Sequence, residues 1–549
     1  MPTDTETLFS EFEPVSTAEW QGAIERDLKG GDSRKLLWQT DEGITVRPFY
    51  RAEDVPELRS ERRHAQRWHI RYEISVHDPA EARAIALAAL ARGAEQIAFA
   101  GTNLKSSDDV RTLTNGIDAA VHFRFAHDAG RVLEILPSGL RGSIDYDPVL
   151  LGADLSPTAR RFFGSSFCAL TVRGEAHHNA GATAVEELAF ALAGGAHYIR
   201  EIGEPAAREM VFDFAATGNY FFDIAKLRAA RRLWADLHSA NPMRIHTRTS
   251  MWNRTIYDAP NNLLRGTTEA MAAIIGGTDA LTVGAFDEAY RSPTEFSRRL
   301  AVNTQLILRD EAHFDKVADP GAGSWYIEWL TRQVVREALE LFEQVQAEGG
   351  LPRAVESGFV ERTLARSREA KLAAIAQRRR VLVGTNQYPN PREIALPEIR
   401  SRVPGRAVDA FEQIRLATER SGRRPQVLLI PFGELKMRRA RADFVTNFFG
   451  VAGFTITEPA AFATPDAAAE YANSAPGDLL VLCSSDAEYP AFAKEFTAKL
   501  VTTRPVLAAG QLKDSADQLR AVGVRDFIHV KSDPIATLKH WQRELGVIE

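Results

Sequence analysis

Short apolar segments alternate with helical stretches of about twelve or more residues in two separate parts of the chain. In the first part, from Trp68 to about Glu340, the strand-like segments are IRYEISV, QIAFAG, AAVHFRF, FCALTVRG, MVFDFAA, MRIHTRTS and ALTVGAF. Strands separated by long helices pair in parallel, because each crossover returns the chain to the same edge of the sheet. About eight such units in about 270 residues indicate a closed (β/α)8 TIM barrel, and an open doubly wound sheet is the structural alternative.

The second alternating part begins at Pro425 and is shorter. Its strand-like segments are QVLLIPF, FTIT, LLVLCSS, PVLAAG and DFIHV, each followed by a helical stretch. Five βα units in about 125 residues indicate a flavodoxin-like, doubly wound domain. Such a domain binds its ligand at the carboxyl ends of the strands, so a site is expected near LLIPFGELKMRRARADF, Leu428 to Phe444.

Two further regions complete the predicted domain organisation, which the length of 549 residues already requires to contain more than one core. Residues 1–67 are predicted to be an arm that clamps a neighbouring domain or subunit. The barrel is assigned to residues 68–340 and the flavodoxin-like domain to residues 425–549. Residues 341–424, basic and helical at first and then proline-rich, are predicted to be a linker.

Composition excludes several classes of function. Lysine and arginine number 67 against 73 acidic residues, a net charge of −6, which gives no electrostatic support for binding nucleic acid or membranes. No apolar run approaches the roughly 20 residues that span a bilayer. Cys168 and Cys483 are the only cysteines, so neither a disulfide framework nor a thiolate metal cluster is expected. A cytoplasmic protein without a bound metal is therefore predicted.

Polar side chains follow two of the barrel strands. His177 and His178 follow FCALTVRG, where they could act as acid or base, or simply be polar loop or capping residues. Arg248 and Ser250 follow another strand, together with Thr249 and Asn261. An arginine beside hydroxyl groups suits an anionic ligand, and pairing of Arg248 with Asp258 is the equally supported alternative.

The helix AKLRAARRLWADL carries Arg228, Arg231 and Arg232, which are predicted to lie on a solvated outer face. The glycine-rich turn DPGAGSWYIEWLT lacks the spacing of a phosphate-binding loop and is predicted to be structural. The sequence contains nothing that resembles a Ser-His-Asp elbow, a Walker loop or a zinc cluster.

Several long stretches resemble the methylmalonyl-CoA mutase family, in the family's order and over essentially the whole chain. They are GITVRPFY, AGATAVEELAFALAGGAHYIR, AKLRAARRLWADL, RTSMWNRTIYDAPNNLLRGTTEAMAAIIGGTDAL, DEAYRSPTEFSRRLAVNTQLIL and DPGAGSWYIEWLT. The resemblance implies an N-terminal arm, an acyl-CoA-binding barrel and a flavodoxin-like cobalamin domain. The family reaction is a radical rearrangement that interconverts succinyl-CoA and methylmalonyl-CoA with adenosylcobalamin.

The cobalamin loop of the family departs from its pattern in this chain. The pattern DxHxxG places Leu435 at the aspartate, Met437 at the cobalt-ligating histidine and Ala440 at the glycine. Pro431 stands where the preceding strand normally ends in lysine. A thioether is a weak donor, and Leu435 cannot orient a ligand as a carboxylate would.

The barrel departs from the family pattern as well. Ala176 and Thr282 occupy the positions of two family histidines, and Arg63 occupies that of a tyrosine. Losses in both domains resemble the small-subunit type of a two-subunit mutase. This type is expected to be non-catalytic and to pair, as a heterodimer, with a catalytic large subunit that holds the adenosylcobalamin.

This resemblance implies that the chain itself binds no cofactor, with residual ligand contacts at most at Arg248, Ser250, Ser484 and Ser485. Two alternatives remain. In the first, the chain is an active acyl-CoA carbon-skeleton mutase that uses cobalamin from a partner. In the second, it is a regulatory acyl-CoA-binding protein.

Overall fold

Two parallel sheets organise the computed structural model. It describes residues 13, 15–55, 67–101, 104–125, 128–204, 206–238, 241–390, 392–393 and 405–549. Arg63, the position of a family tyrosine, lies outside these residues. Before the first parallel sheet come a helix, α1, and a two-stranded antiparallel hairpin of β1 and β2: Thr17–Asp27, Trp38–Gln39 and Thr45–Val46.

The larger sheet contains nine strand segments, and each hydrogen-bonded pair in it is parallel. In chain order they are β3 His69–Ser75, β4 Gln96–Ala100, β5 Ala120–Arg124, β6 Gly142–Ile144, β7 Phe167–Cys168, β8 Leu170–Arg173, β9 Met210–Ala216, β10 Ile245–Thr249 and β11 Ala280–Thr282. Their spatial order is β7-β6-β5-β4-β3-β11-β10-β9-β8.

The two ends of this sheet meet, so the sheet is a barrel. Only Ala169 separates β7 from β8, and the pair acts as a single barrel strand that bonds β6 on one side and β9 on the other. Thr171 of β8 also donates from its N–H to the carbonyl of Tyr146 at 3.0 Å and from its hydroxyl to that of Ile144 at 2.8 Å. The prediction of a closed (β/α)8 barrel is confirmed, and the open-sheet alternative is wrong.

Helices surround the barrel and bury its outer surface in one large apolar core. They are α2 Pro79–Leu90, α3 Ser107–Thr114, α4 Ala129–Ile135, α5 Pro148–Leu151, α6 Pro157–Arg160, α7 Gly174–Asn179, α8 Ala184–Ile202, α9 Ala206–Glu209, α10 Tyr220–Leu237, α11 Asn261–Gly276, α12 Glu295–Leu306 and α13 Trp325–Ala347. Two more helices, α14 Leu351–Glu356 and α15 Phe359–Ala376, pack beside α8 and its preceding loop.

Gly142, the first residue of β6, lets two barrel strands approach closely. Its φ is +137°, and a Cβ added there would overlap the backbone of Val121 on β5. We expect Gly142→Ala to lower the free energy of unfolding by more than about 4 kcal/mol, or to prevent folding, because backbone cannot yield.

Gly139 provides the matched control for this substitution. It also has a positive φ, +87°, but a Cβ there meets no atom within 4 Å. Gly139→Ala should therefore cost only about 1–2 kcal/mol of left-handed backbone strain. Urea unfolding of both variants measures the difference, and equal losses would contradict the clash.

The smaller sheet has the strand order of a flavodoxin-like domain, 2-1-3-4-5. Its strands are β12 Gln426–Pro431, β13 Thr455–Thr457, β14 Leu479–Cys483, β15 Val506–Ala509 and β16 Val524–Ile528. Helices α17 Leu435–Gly450, α18 Pro465–Ser474, α19 Tyr489–Ala498, α20 Ala516–Ala521 and α21 Pro534–Glu544 cover both faces. The flavodoxin-like part of the fold prediction is also confirmed.

Helix α16, Asp409–Arg420, precedes this sheet and packs into its apolar core through Phe411 and Ile414, together with the preceding Val408. The segment before β12 therefore shares a core with the domain that follows it. Among the residues that the structure describes, no helix is long and apolar enough to cross a bilayer.

Candidate functional site

Charged side chains from three barrel strands meet on the barrel axis. Glu73 of β3 accepts from Arg124 of β5 at 3.0 Å and from Arg248 of β10 at 3.1 Å. The carboxylate thus lies between two guanidinium groups, whose proximity pulls its pKa down against the effect of burial. Glu73 therefore lies between two guanidinium groups that can each form paired hydrogen bonds with a carboxylate. Glu73, Arg124 and Arg248 together span the barrel axis, and we call them the charged crossing.

Each arginine has further carboxylate partners. Arg124 also contacts Glu175 and lies 3.4 Å from Asp145, while Arg248 donates to Glu288 at 2.9 Å. Arg248 is therefore neutralised from the strands and loops around it. The predicted alternative, pairing of Arg248 with Asp258, is wrong, because Arg248 bonds Glu73 and Glu288 instead.

Deeper in the barrel, Asp213, His246 and Thr282 form a hydrogen-bonded chain. Asp213 Oδ1 lies 2.5 Å from His246 Nδ1, and His246 Nε2 lies 2.9 Å from the Thr282 hydroxyl. Burial raises the pKa of Asp213 to about 7 and lowers that of His246 well below its usual value. Each shift favours the neutral form of its group, and Thr282 terminates the chain.

The charged crossing divides the barrel axis into two cavities of about 510 Å³ each. Arg71, His122 and His246 line the cavity at the amino ends of the strands. Glu73, Arg124 and Arg248 line the cavity at the carboxyl ends. Paired side chains thus occupy the middle of the barrel, where a long ligand would have to pass.

Asp145 gives this network a pH dependence. Burial, with Asp213 nearby, raises its pKa to about 7 in the folded chain, against about 3.9 when unfolded. Because the pKa of Asp145 is higher in the folded chain, protonated Asp145 contributes fully to the free energy of unfolding below about pH 4. This contribution is lost as the pH rises through 7.

Asp145→Asn should therefore be the more stable protein at pH 8, by up to about 4 kcal/mol, and this advantage should vanish near pH 4.5. Urea unfolding at both pH values tests this. Asp118→Asn is the control, since that side chain is fully exposed, and it should change the free energy of unfolding by no more than about 1 kcal/mol. An Asp145→Asn effect that does not change with pH would contradict the assignment.

The residues predicted near His177 lie on helix α7 and not on a continuing strand. Ala176, the position of a family histidine, is half-buried in this helix. His177 packs against Phe190 with ring centroids 5.1 Å apart, and His178 Nε2 lies 2.7 Å from Ser250 Oγ. Burial lowers the pKa of both histidines, that of His177 to about 4. Neither histidine lines the axial cavities.

The four polar residues at the end of β10 and beyond it do not form one site. Arg248 points to the axis, whereas Ser250 and Asn261 line a different cavity beside the barrel. Thr249 Oγ1 accepts from the N–H of Gly284 at 2.8 Å. Arg248 and Ser250 therefore line different cavities.

Arg228 corrects the prediction for helix α10. Its side chain is only 1% exposed and pairs with Asp319 and, at 2.8 Å, with Glu328. Asp319 belongs to the glycine-rich turn, so this turn holds a buried ion pair. The expected solvated face is wrong for Arg228, because α13 and the turn before it cover this side of the helix.

In the flavodoxin-like domain, the loop after β12 is short and tightly closed. β12 ends at Pro431, and α17 begins at Leu435, whose side chain is 59% exposed. Glu434 caps the helix, accepting from the N–H groups of Lys436 and Met437 at 2.9 and 2.8 Å. Met437 therefore lies in the first helical turn, with Ala440 exposed one turn further on.

Glu488 fills the space beside this loop. Its carboxylate accepts from the hydroxyls of Ser484 and Ser485, both at 2.6 Å, and from the N–H of Glu434 at 3.2 Å. These hydrogen bonds lower the pKa of Glu488 to about 2. A Cβ on Gly433 would overlap the same carboxylate. The donors that could hold an anion at this sheet edge are thus used internally.

Aromatic rings fill the sheet end behind Glu488. Phe432 stacks on Phe492 with centroids 3.6 Å apart and meets Tyr489 edge-on. The Tyr489 hydroxyl donates to the carbonyl of Ala509 at 2.7 Å and accepts from the N–H of Ser484 at 2.9 Å. Among the described residues, no group of three or more His, Cys, Asp and Glu is arranged to hold a metal ion.

Comparison with known proteins shows which family the chain is similar to. The family described as methylmalonyl-CoA mutase matches residues 164–429. The methylmalonyl-CoA mutase small subunit of Porphyromonas gingivalis is 36% identical over the full length of both chains. The chain belongs to the methylmalonyl-CoA mutase family. The small subunit from Streptomyces virginiae is 28% identical over all of this chain and 99% of its own length. The methylmalonyl-CoA mutase of Rhizobium meliloti is 31% identical over 67% of this chain and 63% of its own.

Sequence reasoning missed Glu73 on the barrel axis and Glu488 beside the loop after β12. Glu73 lies within an ordinary strand, and Glu488 follows CSSDA with no recognisable motif. The available signals were weak: a charged residue inside an otherwise apolar strand, and two serines at a strand end. Neither identifies which distant arginine or backbone N–H will be the partner.

Proposed function

We propose that this chain is the small subunit of a methylmalonyl-CoA mutase and that it does not catalyse the isomerisation itself. Relatives named as small subunits align along its whole length. The observation that carries the proposal is the crossing of the barrel axis by Glu73, Arg124 and Arg248. An acyl chain threaded along the axis would have to break these buried pairs, at a cost of several kcal/mol.

The family positions for acid–base chemistry support the same conclusion. Ala176 has no titratable group, and Thr282 is hydrogen-bonded to His246, whose other ring nitrogen contacts Asp213. General acid–base catalysis needs a group whose proton can be exchanged with substrate at a stated position. His246 is the nearest candidate, but it lies below the charged crossing, in the other cavity.

The residues present do not fit adenosylcobalamin in this chain. The family's ligating position is Met437, whose backbone N–H is bonded to the helix cap. The space beside the loop holds the Glu488 carboxylate, and the rings of Phe432, Phe492 and Tyr489 lie behind it. We therefore assign the cofactor, and the chemistry that it supplies, to a catalytic large subunit that forms a heterodimer with this chain in the cytoplasm.

The test uses this chain alone, the catalytic large subunit of the same organism alone, and the two expressed together. Light scattering should give a 1:1 complex, and succinyl-CoA should form from methylmalonyl-CoA only where the large subunit is present. After desalting, the isolated chain should retain no cobalamin absorbance.

Each other outcome overturns a named part of the proposal. Stoichiometric cobalamin in the isolated chain, or turnover by it, would overturn the non-catalytic role. Turnover by this chain with a separate cobalamin protein would establish the active-mutase alternative instead. Saturable heat with CoA esters would show an acyl-CoA-binding protein. Absence of any complex would overturn the subunit assignment.

A further inference from the structure

A third and larger cavity of about 700 Å³ lies beside the barrel and outside the axis. We call it the side cavity. The hairpin residue Trp38, the barrel loops after β9 and β10, and helix α15 enclose it. Its volume is in the range of small-molecule sites, which are mostly apolar with a few convergent polar groups.

The walls of the side cavity are largely apolar and aromatic. Trp38, Phe222, Trp252, Leu264 and Ile375 line it. Trp38 meets Phe222 edge-on with ring centroids 5.9 Å apart. This surface suits the hydrocarbon or aromatic body of a ligand, because burying apolar area is favourable by about 25 cal/mol per Å².

Some charged groups of the side cavity neutralise one another. Lys226 bonds Glu187 at 2.6 Å and Asp223 at 3.2 Å, and Arg380 pairs with Asp41. These groups need no counter-ion from a ligand.

Lys371 and Arg265 differ, because neither has a carboxylate partner within ion-pair distance among the described residues. Lys371 Nζ donates to the carbonyls of Gly181 at 3.1 Å and Ala182 at 2.5 Å, which leaves its third hydrogen for another acceptor. Arg265 donates to Asn262 and to the carbonyl of Val383. Burial lowers the pKa of both cations, as expected where their charge is under-compensated.

Glu42 completes the polar end of the side cavity near Lys371. Its Oε2 is buried and has no hydrogen-bond partner within the described part of the chain. Burial and the nearby Asp41 raise the pKa of this carboxyl. His178, which also senses the charge of Lys371, lines the same cavity. The third hydrogen of the Lys371 ammonium, which has no carboxylate partner among the described residues, favours an anionic acceptor.

We propose that the side cavity binds a small monocarboxylic acid with an apolar body, whose carboxylate accepts a hydrogen bond from Lys371. The apolar body lies against Trp38 and Phe222. This site is separate from the barrel axis, so the proposal does not depend on the role of the chain in the mutase.

The test is calorimetric titration of the full chain at pH 7.5 with hexanoate, hexanamide and hexylammonium. These probes share one hydrocarbon body and differ in charge. Hexanoate should bind saturably at one site and at least tenfold more tightly than either of the others. Absence of saturable heat, or binding of the amide or the ammonium as tight as that of hexanoate, would overturn the proposal.

Two variants locate the site. Lys371→Met should weaken hexanoate at least tenfold, while Lys371→Arg, which keeps the charge, should stay within threefold. Thr268→Trp, at an exposed position on the cavity edge, should also weaken binding by filling space without disturbing the Lys371 contacts. If Lys371→Met does not fold, Thr268→Trp alone decides, and unchanged affinity in that variant would overturn the proposal.

Discussion

Arg124→Met is expected to lower the free energy of unfolding by about 3–5 kcal/mol at pH 8, because it leaves buried carboxylates without a counter-ion. Arg124 contacts Glu73, Asp145 and Glu175 at once, and its side chain is 22% exposed. Glu73 keeps Arg248 after the change, but Asp145 and Glu175 keep no cation within ion-pair distance in the described structure.

The loss should be smaller at pH 5.5, by at least about 1 kcal/mol, since isolated buried carboxyl groups then take up protons. Urea unfolding at the two pH values measures this. Arg141→Met is the matched control, because Arg141 pairs with Asp118 at the surface, and it should cost no more than about 1 kcal/mol. If Arg124→Met were as mild as this control, the axis would not be held by its charges.

Arg228→Met, on helix α10 outside the barrel axis, is expected to lower the free energy of unfolding by about 3–5 kcal/mol. The substitution keeps much of the apolar stem but removes the guanidinium that bonds Asp319 and Glu328, both of which are at most 4% exposed. Its Nε also donates to the Thr331 hydroxyl at 3.4 Å. Helix α10 would then lose its polar connection to α13 and to the glycine-rich turn.

The control for this prediction is Arg232→Met on the same helix, where the side chain is half-buried and the change should cost less than about 1 kcal/mol. Combining Arg228→Met with Asp319→Asn and Glu328→Gln should recover at least about 1 kcal/mol, since the orphaned charges are removed. Unfolding in guanidinium chloride of Arg228→Met, Arg232→Met and the triple variant measures these differences. Failure of the triple variant to recover stability would show that packing, and not charge, is lost.

The periodicity of the sequence predicted both sheets because each strand and helix carries its own local pattern. The pairings inside the barrel carry no such pattern. Glu73 and Arg248 are 175 positions apart, and only closure of the barrel brings them together. Arg228 was misplaced for the same reason, since its partner Asp319 lies 91 positions further along in a turn.

The two histidines after β8 show a limit of a different kind. If the strand continued, neighbouring side chains would point to opposite faces, but the chain enters helix α7 at Gly174. Successive side chains then diverge by about 100°, so His177 packs against α8 while His178 reaches Ser250. A short helix directly after a strand has too few residues to show its own periodicity.

Glu488 has a consequence for the evolutionary history of the chain. A histidine placed at Met437 would still face a loop whose donors are satisfied by Glu488 and an interior filled by Phe432 and Phe492. Removing any one of these groups alone would leave a hole or an unpaired polar group, which selection against unstable proteins would remove. Opening this loop would therefore take several substitutions together, which makes its return by single steps unfavourable.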